Sequence, residues 1–320
     1  MVKDKRNCLE DQRTKELFPK SNFKEISFGF LFCRVELKML DRWCIKNISK
    51  VFEKIYKPKP EWIAAILTYH GVNERQAKGC LSLRKFIAHL DFLSEAFNIV
   101  KLSELVEILR RGKGDKEKYV AITFDDAYDN FYHYAYPELI KRKIPATQFV
   151  PTAFVGGFNS WDYKQGKDNP FLKIMEWEEL RRLDTNLIEV GSHGHSHKHM
   201  ADLKEEELKV EIVKSKEILE LELNSQVDSF AYPYGELFSF DERAVRILKE
   251  SGYRYAFTTH FGRSSSCSDL YRLKRISIWE DDEIQDIKAK LLGYYDWLGP
   301  KERIAFLIRQ FLKKGRSLPV

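Results

Sequence analysis

From residue 61 onward, short apolar runs alternate with longer amphipathic segments. The runs 63–69, 119–124, 146–150, 187–190, 227–232, 253–258 and 275–279 have the length and the β-branched, aromatic composition of buried strands. Between them, Ser82 is placed to cap a helix whose apolar face is Leu83, Phe86, Ile87, Leu90 and Leu93. His89, on that same helix, is expected at the surface or its boundary. A second helix starts at Ser103 and stops at Gly112, an aromatic one runs up to Lys143, and a charged one covers about residues 204–223. Another spans about residues 242–250, with Gly252 beyond its end. Such strand–helix alternation predicts a parallel sheet flanked by helices, either a barrel or a doubly wound sheet. In both, the active site lies at the carboxyl ends of the strands. His70, the pair Asp125–Asp126, a histidine cluster after residue 190 and Tyr234 each stand just past a predicted strand. Four separate polar groups are thus expected to converge on one face.

The flanks read differently. Residues 1–60 are rich in Lys, Arg and aromatics without a clear period and close on Lys57-Pro58-Lys59-Pro60, as in a basic N-terminal extension ending in a linker. Residues 61–290 carry the repeating pattern, and residues 291–320 read as a basic C-terminal helix. Over residues 303–314 apolar positions recur at helical spacing beside Lys and Arg, which suits core packing or a helix lying on anionic lipid. Phe28 to Phe32 offers the same choice.

Composition narrows the class. With 320 residues, 43% hydrophobic and 32% charged, the chain suits a globular protein with ample core. A formal charge of +6 favours an anionic partner but falls short of a nucleic-acid-binding signature, and no basic stripe interleaved with aromatics occurs. The five cysteines (Cys8, Cys33, Cys44, Cys80, Cys267) are widely spaced, contain no Cys-x-x-Cys, and read as reduced thiols of a cytoplasmic protein. Acidic Asp4, Glu10 and Asp11 interrupt the early basic residues, contrary to a signal peptide, and no apolar run is long enough to span a bilayer. The expected location is cytoplasmic, with peripheral membrane attachment left open. Oligomeric state is not readable.

Four of the eight histidines (His193, His195, His197, His199) alternate within one short stretch. Imidazole is the commonest ligand for zinc and related ions, so the stretch reads as a metal site or, alternatively, as a solvated polar turn. Two adjacent carboxylates after an apolar strand are costly to bury without a counter-charge, which a divalent cation would supply. The alternative for Asp125–Asp126 is a helix N-cap pair. One Asp with two His leaves a coordination position open for water, as in catalytic zinc sites.

Thr123-Phe124-Asp125-Asp126, followed by Ser192-His193 and His197, resembles the motifs of the polysaccharide deacetylases of the NodB-homology type, carbohydrate esterase family four. The resemblance covers about residues 61–290. It implies an α/β fold, a distorted (β/α) barrel forming a single catalytic domain with helical extensions. It implies a metal-dependent hydrolase that removes N-acetyl groups from amino sugars of a polysaccharide, oligosaccharide or lipid-linked glycan. A deformylase or other amide hydrolase, and a non-catalytic metal- or glycan-binding relative, are the alternatives. The resemblance also implies Asp126, His193 and His197 as ligands of a divalent metal, Zn2+ first, with Co2+, Ni2+ or Fe2+ as alternatives. It implies Asp125 as general base and Tyr234 as the residue whose backbone N–H helps hold the oxyanion. His195 and His199 are then bystanders or supporting groups. Two departures stand out. Ala231 occupies the place where many relatives carry an Arg beside the base, so Asp125 is expected to lack that partner. No histidine follows His260, so the family's late leaving-group acid is missing. Phe-Ala-Tyr-Pro-Tyr-Gly at residues 230–235 resembles a circularly permuted subgroup in which an early Tyr-His takes that place, which Tyr69-His70 matches. His70 is accordingly the expected acid, with His260 as the competing candidate.

Overall fold

The computed structural model describes residues 42–55, 63–112, 117–163, 171–300 and 302. The chain forms two compact units, Met1–Ile48 and Ser49–Val320. Helix Arg42–Ile55 lies within the stretch read as an extension without a clear period. Phe28 to Phe32, the 57–60 linker and the basic stretch 303–314 lie outside the described residues. Among the described residues, no helix is long and apolar enough to cross a membrane.

The second unit is organised by one all-parallel sheet. Its strands, in chain order, are β1 (Ile63–Tyr69), β4 (Asn98–Ile99), β5 (Lys118–Phe124), β6 (Ala146–Val150), β7 (Ile188–Ser192), β8 (Ser229–Ala231), β9 (Tyr255–Phe257) and β10 (Ile276–Ser277). Two short strands, β2 (Gly71–Asn73) and β3 (Cys80–Ser82), pair separately. The main order is β10-β1-β5-β6-β7-β8-β9, with β4 also on β5. The two ends of this order meet. Residues 270–277 bond β9 on one side, through Leu273 N–H to Ala256 O (3.0 Å) and Thr258 N–H to Leu273 O (2.8 Å). On the other side they pair with β1, Leu67 facing Ile276. The sheet therefore curls into a distorted barrel with helices outside, as expected from the resemblance.

Strands buried on both faces must be apolar on both, and β1 and β5 are. Ala64 and Ile66 join Ala121, Phe149, Ala231, Phe257 and Leu273 in one cluster, which helix Leu102–Arg111 covers with Leu105, Val106 and Leu109. On the opposite face Tyr69 meets Phe86 edge-on at 5.6 Å, and Phe86 meets Phe124 at 5.8 Å. Phe86 belongs to helix Leu83–Ala96, which Ser82 caps by accepting the Lys85 N–H at 3.4 Å. Truncating Phe86, fully buried, should cost about 3–5 kcal/mol. Along β5 the period of two puts Ala121, Thr123 and, just past the strand, Asp125 on the same side. That row turns from apolar to hydroxyl to carboxylate as it reaches the carboxyl end.

Most predicted strands appear, shortened where pairing stops: 227–232 gives Ser229–Ala231, and 275–279 gives Ile276–Ser277. Two helices carry a wider π-helical turn that periodicity does not reveal, Phe131–Ala135 and Val210–Lys214. His89 is a correction. It is 1% exposed, with Nε2 3.2 Å from Asp282 O and Nδ1 3.5 Å from the Tyr69 hydroxyl. Its two ring nitrogens find partners on other elements, which makes its burial tolerable. Cys44 and Cys80 are free thiols as expected, whereas Cys267 is disulfide-bonded, against the reading of reduced thiols throughout.

Candidate active site

The end of β5 fixes both acidic residues. Asp125 N–H donates to Tyr69 O at 3.0 Å, which prolongs the β1–β5 pairing by one step. At Asp126 the backbone turns left-handed, with φ of +72° there and +52° at Ala127. Residues other than glycine avoid this region, at a cost of about 1–3 kcal/mol each, and they persist there only where the surroundings enforce it. The turn intervenes before the next helix, whose π-helical part begins at Phe131, so the acids are not its N-cap pair. His197 (+52°) and Tyr234 (+63°) are left-handed too. The two remaining non-glycine cases among the described residues, Lys143 and Asn224, merely end helices.

His193 follows β7, its N–H donating to Val150 O at 2.9 Å. Its Nδ1 lies 2.8 Å from Ala231 O, and a carbonyl can only accept, so Nδ1 carries the proton. Nε2 is then the lone-pair nitrogen, and it points at Asp126 Oδ1 from 3.4 Å. His197 Nε2 approaches the same oxygen at 3.3 Å. Trp161 stacks on the His197 ring at 4.5 Å, and Tyr234 meets it edge-on at 4.9 Å, which fixes its orientation.

These three groups fit a divalent cation. Their ligand atoms lie within 4.8 Å of one another, all three residues are buried, and Asp126 Oδ1 has no hydrogen-bond partner. Four ligands about 2.1 Å from a tetrahedral ion stand about 3.4 Å apart, close to the 3.3 and 3.4 Å separations seen here. Burial alone would raise the Asp126 carboxyl, but contact with His193 and His197 holds it well below the usual range. Burial would lower the His193 imidazole, and the charges of Asp125 and Asp126 reverse that.

Asp125 has the arginine that Ala231 seemed to deny it. Arg275 donates from both terminal nitrogens to the two carboxylate oxygens, each at 2.7 Å, with side-chain exposures of 0% and 2%. Its Nε donates to Thr258 O at 3.2 Å, and its guanidinium lies over the Phe149 ring at 5.3 Å. Burial pushes the Asp125 carboxyl up, but Arg275 and then His193 outweigh it, so the group is held below its ordinary value. The expected gap in the site is thus filled from the strand that closes the barrel. The visible signal was one Arg opening an apolar run, too common a pattern to single out.

His70 is half-buried beyond β1, directly after the Tyr69 that pairs with Phe124. Tyr234 follows β8, and Thr259 Oγ1 donates to its carbonyl at 2.6 Å. The other histidines have different attachments. His195 Nδ1 contacts Thr152 Oγ1 at 2.8 Å, and burial with nearby Lys214 keeps that ring below its ordinary value. His199 stacks flat on Tyr234 at 3.8 Å. His260 engages Glu302 through Nδ1 at 2.6 Å.

With this geometry in view, comparisons agree. The sequence profile described as polysaccharide deacetylase matches residues 112–256, which hold Asp125, Asp126, His193, His197 and Tyr234 but neither His70 nor Arg275. The poly-beta-1,6-N-acetyl-D-glucosamine N-deacetylase of Staphylococcus aureus is 26% identical over 226 residues, covering 68% of this chain and 73% of its own. Among solved structures, the Streptococcus pyogenes deacetylase PplD shares the fold with a TM-score of 0.60 at 21% identity, covering 73% of this chain and 99% of its own. IcaB from Ammonifex degensii does so at 0.57 and 23%, covering 73% and 96%. The stretch from β5 to β9 is thus similar in sequence to the polysaccharide deacetylase family over residues 112–256, and the barrel around it shares the fold of solved deacetylases.

Proposed function

We propose that this protein removes N-acetyl groups from amino sugars of a polysaccharide, oligosaccharide or lipid-linked glycan, using a divalent metal held by Asp126, His193 and His197. The observation that carries the reading is the meeting, past the ends of β5 and β7, of three buried ligand atoms within 4.8 Å beside a carboxylate clamped by Arg275. A bound divalent ion would polarise the amide carbonyl and acidify water near neutral pH. Asp125 is the base. Arg275 keeps it ionised and fixes its orientation, since a bidentate clamp leaves the carboxylate little freedom to rotate. Tyr234, left-handed just past β8, would offer its backbone N–H to the carbonyl oxygen, where a fixed donor stabilises developing charge. His70 delivers the proton to the departing amine, because an amide anion leaves too poorly without one. Its place directly after β1, the strand paired with β5, supports that role, as does the engagement of the competing His260 with Glu302. The Staphylococcus aureus relative's named substrate favours N-acetylglucosamine polymers.

The test is acetate and free-amine release from β-1,6-linked N-acetylglucosamine oligomers and chito-oligosaccharides with Zn2+, Co2+, Ni2+ or Fe2+. Release abolished by a chelator is expected. Oligomer binding without acetate release under every metal would instead mark a non-catalytic relative.

A further inference from the structure

A buried carboxylate apart from the reacting groups grips the loop between the two histidine ligands. Residues 205–223 run as one helix whose middle turn, Val210–Lys214, is π-helical. Its other acids are exposed or half-buried: Glu206, Glu207 and Glu217 are exposed, and Glu205, Glu220 and Glu222 half-buried. Glu211, inside the π turn, is only 2% exposed. Its Oε2 accepts the His195 N–H at 3.0 Å and the Ser196 N–H at 2.7 Å, and its Oε1 accepts the Ser196 hydroxyl. One turn on, Ser215 Oγ lies 2.7 Å from Ser192 Oγ, at the end of β7. π turns inside helices are frequent at functional sites.

The loop so held is the one that must bend sharply. Gly194 is left-handed (φ +77°), and a Cβ there would sit 3.2 Å from Glu211 Oε2, so the close approach needs glycine. His197 is left-handed as well. From the other side, Gly194 O and His195 O accept the N–H groups of Thr152 (3.2 Å) and Ala153 (2.8 Å). Removing the Glu211 carboxylate would leave two loop N–H groups and a hydroxyl without their acceptor, and the turn without its anchor.

We propose that Glu211 is the positioning residue of the metal-binding loop. By accepting the His195 and Ser196 N–H groups it fixes the bend that lets His193 and His197 present Nε2 to one point beside Asp126. This rests on the reading of those three residues as ligands. Outer partners that orient ligands typically contribute about 10–100-fold in metal affinity.

The test is a Co2+ titration of the metal-free full chain, followed by the visible absorption of the bound ion. Glu211→Ala should bind about 10–100-fold more weakly, with unchanged stoichiometry at saturation. Glu211→Gln should recover most of the affinity, because its amide oxygen accepts both N–H groups and its NH2 donates to the Ser196 hydroxyl. A merely structural glutamate would lower thermal stability and leave the affinity of the folded protein unmoved. Wild-type affinity in Glu211→Ala therefore overturns the proposal. Where that variant does not fold, Glu211→Asp, one methylene too short, is measured with the same expectation and the same overturning result. A wild type that takes up no Co2+ overturns the ligand reading, and this inference with it.

Discussion

Among the described residues two acid–base pairs are fully buried, both tied to the chain that closes the barrel. Asp125–Arg275 is one; Asp282–Lys290, with both side chains 0% exposed, is the other. Taking two charges out of water costs several kcal/mol per ion, so each pair exists only because further bonds complete it. Lys290 donates to Ser277 O at 2.9 Å and lies over the Trp279 ring at 3.8 Å, while Asp282 accepts the Trp279 N–H at 2.8 Å. Those bonds tie helix Ile284–Leu292 to the end of β10. Asp125 is completed differently. Its neighbour Asp126 is forced left-handed, and two imidazoles face one oxygen of that neighbour. Buried charge alone therefore does not mark a reaction centre. A strained backbone and converging ligand atoms beside it do.

The largest expected effect would break the contrast outright. Asp126→Ala should lose both bound metal, read by elemental analysis, and activity. Asp125→Asn should keep the metal and lose about 10²–10⁴-fold in turnover. Asp282→Asn should leave the turnover of the folded fraction unchanged, and a comparable loss there would erase the distinction.

His70→Ala should fold, retain metal and also lose about 10²–10⁴-fold in turnover, together with the limb of the pH–rate profile that reports the acid. Near-normal turnover there, with His260→Ala inactive, would transfer the role to His260.

The two cations should prove alike in stability and unlike in kinetics. Arg275→Met and Lys290→Met each strand a buried carboxylate, and denaturant unfolding should show a loss of about 3–5 kcal/mol for each. Arg275→Met alone should move the acidic limb of the pH–rate profile upward, because burial then raises the Asp125 carboxyl with its main opposing charge gone. An unmoved limb would disconnect Arg275 from the base.

The smallest effect sharpens the structural side. Burial lowers the His89 imidazole to about 4, against carboxylate and backbone contacts that oppose the shift. Between about pH 6.5, its ordinary value, and about 4, the unfolded chain binds this proton and the folded one does not. Its contribution of about 3 kcal/mol is thus complete above pH 6.5 and lost as pH falls toward 4. His89→Gln should flatten the pH dependence of stability across that window while sparing turnover at pH 7.

The sequence by itself determined the alternation of strands and helices, and with it the convergence of Asp125, Asp126, His193, His197 and Tyr234. Strand periodicity and parallel connection are local properties, and a residue directly after a parallel strand must lie at that strand's carboxyl end. Only the tertiary structure decided which charges meet. Arg275 stands 150 positions from Asp125 in the chain and reaches it because curling of the sheet closes β10 onto β1. His89 reads as a boundary residue on its helix and is buried because the loop after β10 covers it. Glu211 is indistinguishable in sequence from the solvated acids around it, and a π-helical turn buries it. Partners far apart in the chain leave no period in the sequence, since their pairing depends on how the sheet curls and not on any local preference.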